Sequence, residues 1–274
     1  MRREILLNFT GPCVGRCILL RKSIAITFII LLTLAFTGCA GPQKEVASDK
    51  KRAEAFQNLG ASYVREGKLR EGLKNLHQAV KLDPNNAELH NQIALVYMDL
   101  AEYDASLKHF KRALALKPHY PEVYNNMGNL YLLLRKWDLA IASYQKAVAD
   151  VLYQTPHYAY TNMGLAYYNK GDYKKAIEIY QHSLKLEPTY STTYFNLAYA
   201  YEAVQKWEEA ILAYQKAIQY LPNDPAAYYR LGKLYLKLGR KQEASKVFEQ
   251  FLEIAPKGPY EEEVKGILKT IQKK

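Results

Sequence analysis

Residues 157–190 read "HYAYTNMGLAYYNKGDYKKAIEIYQHSLKLEPTY", and the same pattern can be laid over the chain five more times. Units begin at Ala53, Ala87, Pro121, His157, Ser191 and Pro225, giving 53–86, 87–120, 121–156, 157–190, 191–224 and 225–258; five are 34 residues long and the third is two longer. Position 4 of each unit is aromatic or His (Phe56, His90, Tyr124, Tyr160, Tyr194, Tyr228), and position 11 is always Tyr (Tyr63, Tyr97, Tyr131, Tyr167, Tyr201, Tyr235). A small residue stands at position 20 (Gly72, Ser106, Ala140, Ala176, Ala210, Ala244) and a bulky one at position 24 (Leu76, Phe110, Tyr144, Tyr180, Tyr214, Phe248).

Apolar residues at positions 4, 7, 8 and 11 share one helical stripe and those at 20, 24 and 27 a second, so each unit predicts two amphipathic helices. Prolines at the unit ends, such as Pro84, Pro118, Pro188, Pro222 and Pro256, cannot continue a helix, and Pro121 and Pro225 suit a first helical turn. Trp137 and Trp207 share position 17 with Leu69, Tyr103 and Tyr173, which favours a packing role for both indoles. Period and pattern together strongly resemble the tetratricopeptide repeat. That resemblance implies an all-α, right-handed solenoid of six helix-turn-helix units over residues 53–256, with a concave and a convex face. Residues 259–274, "PYEEEVKGILKTIQKK", place Val264, Ile267, Leu268 and Ile271 on one face and acids before lysines, which predicts a single capping helix.

The N-terminus has a different character. Arg21 and Lys22 precede an apolar run of about 14 residues ending at Phe36, shorter than the roughly 20 a membrane-spanning helix needs. Thr37-Gly38-Cys39 follows, which resembles a bacterial lipobox: residues 1–38 would be a signal peptide, Cys39 would carry acyl chains, and 39–52 would be a linker. An uncleaved anchor is the other reading of the run. The stretch before Arg21 is long for a signal n-region, which suggests a translation start near Leu19 or Leu20. Cys13 and Cys17 fall in the removed segment, so the processed chain would hold no free thiol and no disulfide.

Charge and motifs narrow the function. The chain carries 38 Lys/Arg against 27 Asp/Glu, and loss of residues 1–38 removes five basic and one acidic, leaving 33 against 26. The basic residues, among them Lys108, Lys111, Lys174, Lys175 and Lys246, are spread along helix positions expected to be solvated, with no nucleic-acid motif. No phosphate loop, His-Glu-x-x-His or nucleophile elbow occurs, and the six histidines fall in separate parts of the repeat array. The reading is a non-enzymatic protein with no cofactor and no metal.

The concave face is the candidate binding surface. Position 6 holds Asn58, Gln92, Asn126, Asn162, Asn196 and Arg230, nearly a ladder of side-chain amides able to donate to and accept from a peptide backbone. Asn is also common here in the repeat family, so recognition stands beside family habit. Leu95, Met98, Asn129, Leu132, Leu133, Leu165, Tyr168, Phe195 and Tyr199 at positions 5, 9, 12 and 13 add apolar surface in units 2 to 5, whereas unit 6 offers Tyr229, Lys233 and Lys237.

Leu152-Tyr153-Gln154-Thr155-Pro156 lies at the joint that carries the two extra residues. Six repeats behind a lipobox, with this wording between the third and fourth, resemble the type IV pilus biogenesis/stability lipoproteins, or pilotins. The resemblance covers residues 37 to about 256. It implies an outer-membrane lipoprotein, facing the periplasm, that binds secretin subunits and helps them localise and multimerise. Ala40 after the lipidated Cys agrees with outer-membrane sorting, and the linker would reach at most roughly 45 Å. The two extra residues are expected to lengthen a helix end or turn that Pro156 terminates. A scaffold for cell-wall enzymes or polysaccharide export is the alternative on the same fold.

Overall fold

The computed structural model describes residues 41–272, and all regular structure in that range is helical. Unit 1 is α1 (Gly41–Arg65) and α2 (Leu69–Leu82); unit 2 is α3 (Ala87–Asp99) and α4 (Tyr103–Leu116); unit 3 is α5 (Pro121–Leu133) and α6 (Trp137–Val148). Unit 4 is α7 (Pro156–Lys170) and α8 (Tyr173–Leu186); unit 5 is α9 (Ser191–Ala203) and α10 (Trp207–Tyr220); unit 6 is α11 (Pro225–Lys237) and α12 (Lys241–Ile254). A last helix, α13 (Glu261–Gln272), follows. Each first helix packs on its partner within the unit and each second helix on the first helix that follows, so the core is a continuous seam along a tetratricopeptide solenoid.

Side-chain caps begin three of these helices. Asn86 Oδ1 accepts from the backbone N–H of Glu88 (3.0 Å) and Leu89 (3.2 Å), Asp172 Oδ1 from that of Lys175 (3.1 Å), and Asp224 Oδ1 from that of Ala226 (3.0 Å). Each bond satisfies an N–H that the first helical turn leaves open. The turn inside every unit places its fifteenth residue in the left-handed region. Glycine fills that place in units 1, 4 and 6 (Gly67, Gly171, Gly239), while Ala101, Arg135 and Gln205 adopt φ of 59°, 56° and 60° in units 2, 3 and 5. The sequence pattern did not reveal this requirement, because three of the six side chains meet it at a steric cost.

The position-24 residues Leu76, Phe110, Tyr144, Tyr180, Tyr214 and Phe248 are all 1% exposed or less. They reach the opposite helix because position 8 is small: a Cβ at Gly164 would stand 2.5 Å from Cε1 of Tyr180. Between units 4 and 5 the seam is polar. Thr161 Oγ1 lies 2.9 Å from Ser183 Oγ and 2.6 Å from Thr193 Oγ1, and Ser183 donates to the His157 carbonyl at 2.9 Å.

At the third joint a turn is lengthened, one of the two expected outcomes, while Pro156 takes a different role. The other five second helices have 14 residues, whereas α6 has 12, and the joint after it runs over residues 149–155, seven residues against four at each of the other joints between units. The extra residues lie in the loop, and Pro156 begins α7 instead of ending the helix before it, because a first-turn residue needs no N–H. Asp150 closes a tight turn, its Oδ1 accepting from the N–H of Leu152 (2.9 Å) and its carbonyl from that of Tyr153 (3.1 Å). Tyr153 is thereby turned into the core against Ala140, Tyr144, Ala159 and Met163, while Val151 and Leu152 stay exposed.

Both ends also need comment. Residues 41–52, expected as a linker, are helical and form the first part of α1; at about 1.5 Å per residue their span is roughly 18 Å. The signal peptide and Cys39 lie outside the described residues. At the other end α13 buries Val264 and Leu268 and stacks as the first helix of a seventh unit would, with the rings of Tyr260 and Tyr229 parallel at 4.1 Å.

Candidate protein-docking groove

The first helices α3, α5, α7 and α9 touch one another in succession, which makes them the closely spaced inner wall of the stack. All candidate residues but Asn58, which is on α1, belong to these four helices. Asn58 and Leu133 are exposed, and Gln92, Leu95, Met98, Asn126, Asn129, Leu132, Asn162, Leu165, Tyr168, Phe195, Asn196 and Tyr199 are half-buried.

The amides do not form a free ladder. Asn126 Nδ2 donates to Asn91 Oδ1 of the preceding unit at 3.1 Å, and Asn162 Nδ2 donates to Asn129 Oδ1 at 3.0 Å. Asn129 Oδ1 accepts a second bond, 2.8 Å long, from the Tyr144 hydroxyl, which arrives from the other side of the helix pair. Gln92 donates within α3 to Glu88 (3.2 Å). These amides therefore bolt unit to unit, with part of their hydrogen-bonding capacity already used. Among the described residues Asn58 and Asn196 make no side-chain hydrogen bond, which leaves their amides open to a ligand backbone.

Units 4 and 5 add an aromatic floor. Phe195 and Tyr199 meet edge to face at 5.0 Å, both pack against Tyr214, and Tyr168 stands 6.5 Å from Tyr199. Such contacts fill the bottom of the groove with large, rigid side chains. The Tyr214 hydroxyl donates to Glu202 at 2.6 Å, and burial raises its pKa far above that of an ordinary phenol. Tyr180, at the equivalent place one unit earlier, finds no partner for its buried hydroxyl among the described residues.

The two ends of the inner wall differ in charge. Position 2 carries the exposed carboxylates Glu54, Glu88 and Glu122 in units 1 to 3. Unit 6 carries Arg230, whose guanidinium sits 4.7 Å over the Tyr199 ring, and Lys237, whose ammonium sits 4.1 Å over Trp207. Lys233 between them is paired with Glu263 of α13 at 2.9 Å, and this ammonium holds the Glu263 carboxyl below its usual range. Burial, followed by the hydrogen bond to Glu263, pushes Tyr229 up to about 12. Arg230 and Lys237 have no carboxylate partner among the described residues. Two apolar recesses complete the wall, of about 250 Å³ between units 1 and 2 (Val64, Leu76, Leu95, Val96) and about 400 Å³ between α11 and α13 (Leu236, Ile267, Ile271).

Among the described residues no group of three or more His, Cys, Asp or Glu is arranged to hold a metal, and no helix is long and apolar enough to cross a membrane. What the surface offers is shape, open amides, aromatic rings and a charge gradient, which define a docking scaffold built from helical pairs.

Models described as tetratricopeptide repeats match residues 85–152, 157–190, 179–211 and 225–257, and one described as a TPR repeat matches 60–100 and 203–239. The chain belongs to the tetratricopeptide-repeat family, whose members bind protein partners. Comparison with curated protein sequences returns no match. Among solved structures, PilW, a widely conserved type IV pilus biogenesis factor, aligns with a TM-score of 0.70 at 24% identity over 80% of this chain and 98% of its own. PilF of Pseudomonas aeruginosa aligns with a TM-score of 0.68 at 20% identity over 80% and 99%. YrrB, a TPR protein with an unusual peptide-binding site, aligns with a TM-score of 0.53 at 17% identity over 70% and 97%.

Proposed function

We propose that this chain is a lipid-anchored envelope scaffold that holds a segment of a secretin subunit along its inner wall during type IV pilus biogenesis. The observation that carries the reading is the combination, in one chain, of six repeats, a lipobox ending at Cys39 and an enlarged third joint with the Leu152-Tyr153 to Thr155-Pro156 wording. The near full-length matches to PilW and PilF support it at the level of fold. Acyl chains on Cys39 would hold the repeat array at the periplasmic face of the outer membrane, since two or more chains give stable attachment.

The charge gradient specifies the partner further. A bound segment would set its acidic part against Arg230 and Lys237 and its apolar side chains against Tyr168, Phe195 and Tyr199. The test is co-purification of secretin with the chain from outer membranes, with secretin multimers counted in a strain lacking it. Monomeric, mislocalised secretin is the expected result; normal multimers and no co-purification would remove the reading.

A further inference from the structure

Three histidines that the sequence sets 13 and 19 residues apart meet at one place. His77 on α2 and His90 and His109 around α3 and α4 bring their rings within 5.9 Å (77 to 109) and 5.2 Å (90 to 109), with Tyr97 at 5.9 Å from His77 and 5.6 Å from His109. The reading of these histidines as dispersed is corrected by the stacking: one residue of unit 1 and two of unit 2 converge because α3 packs between α2 and α4. His90 Nδ1 faces His109 Nδ1 at 3.0 Å, so the two nitrogens share a single proton. His90 Nε2 donates to the Pro84 carbonyl (3.1 Å), and His77 Nε2 is bonded to the Tyr97 hydroxyl (3.0 Å).

The surroundings are cationic. Lys81 on α2 acts on His77, Lys108 on α4 acts on His109, and Arg112 on α4, bonded to Asn85 of the joint, acts on His90. On α3 the Tyr97 hydroxyl is neutral, with Glu102 of the following turn nearby. Among the described residues no carboxylate is bonded to any of the three rings. A second proton on the His90–His109 pair would set two N–H groups head to head, between positive neighbours, in a half-buried seam.

We propose that this cluster makes the junction between units 1 and 2 an acid-sensitive seam, which loosens unit 1 while units 3 to 6 stay folded. Burial, reinforced by the neighbouring imidazoles, lowers the His109 pKa from 6.5 to about 4, and burial lowers His77 and His90 also. A lowered folded-state pKa means that the unfolded chain binds more protons. Stability is therefore intact above about pH 6.5 and lost as pH falls toward 4. Unit 1 is the part released because, among the described residues, it has one neighbouring unit only. The recess lined by Val64, Leu76, Leu95 and Val96 spans the same junction, so acid would reshape one end of the inner wall.

The experiment is amide hydrogen exchange on the full chain in detergent with EDTA, at pH 7.5 and 5.0, corrected for intrinsic exchange rate. Peptides of α1 and α2 should lose protection about tenfold more than peptides of α8 to α10, and His109→Gln should abolish that difference. Equal loss across all units, or an undiminished difference in the variant, would overturn the proposal. If the variant fails to fold at pH 7.5, the imidazole titration of His109 in the wild-type chain decides: a midpoint below about 5 supports the seam, and one near 6.5 removes it.

Discussion

Asn162 donates its side-chain N–H to Asn129 at 3.0 Å, across 33 residues of sequence, and the same Asn129 oxygen takes the Tyr144 hydroxyl at 2.8 Å. One carbonyl thus ties unit 4 to unit 3 and the two helices of unit 3 to each other. Its place at position 6 makes Asn162 a candidate recognition residue, yet the bond it makes holds the array together.

That role changes what its removal should do. Asn162→Ala should cost about 0.5–1.5 kcal/mol of stability, read as a shift of the urea midpoint. Asn196→Ala, which breaks no bond among the described residues, should leave the midpoint unchanged and weaken partner binding alone. A destabilised N196A would show that this amide also serves packing.

The left-handed turn positions offer a gain. Ala101→Gly, Arg135→Gly and Gln205→Gly should each stabilise the chain by about 0.5–1 kcal/mol, because glycine removes the Cβ clash at φ near 60°. Thermal melting of the triple variant is the check, and the three increments should add, since the turns lie in separate units.

Close approach at position 8 predicts the opposite sign. Gly164→Ala forces a methyl group to 2.5 Å from the Tyr180 ring and should cost about 1–3 kcal/mol by denaturant unfolding.

At the enlarged joint, Tyr153→Ala should cost about 3 kcal/mol, since it empties a buried site between α6 and α7. Leu152→Ser, at a residue 83% exposed, should leave melting unchanged. A matching loss in both variants would mean that the loop, and not the Tyr153 side chain, holds the joint.

Arg230→Glu with Lys237→Glu should reduce co-purification of an acidic partner at low salt and leave the unfolding free energy within about 0.5 kcal/mol of wild type. Their cation–aromatic contacts are exposed and contribute little to folding.

Period, helix number, the buried stripe from Leu76 to Phe248 and the capping face of α13 follow from the sequence alone. Each depends on side chains three, four or seven residues apart, and helix geometry fixes which of those share a face. The partners of Asn126 and Asn162, the meeting of His77, His90 and His109 and the placing of the extra residues in a loop were decided by tertiary structure. They depend on how one unit is rotated onto the next. That rotation is set by the summed packing of whole helices, so no single position in the repeat carries it.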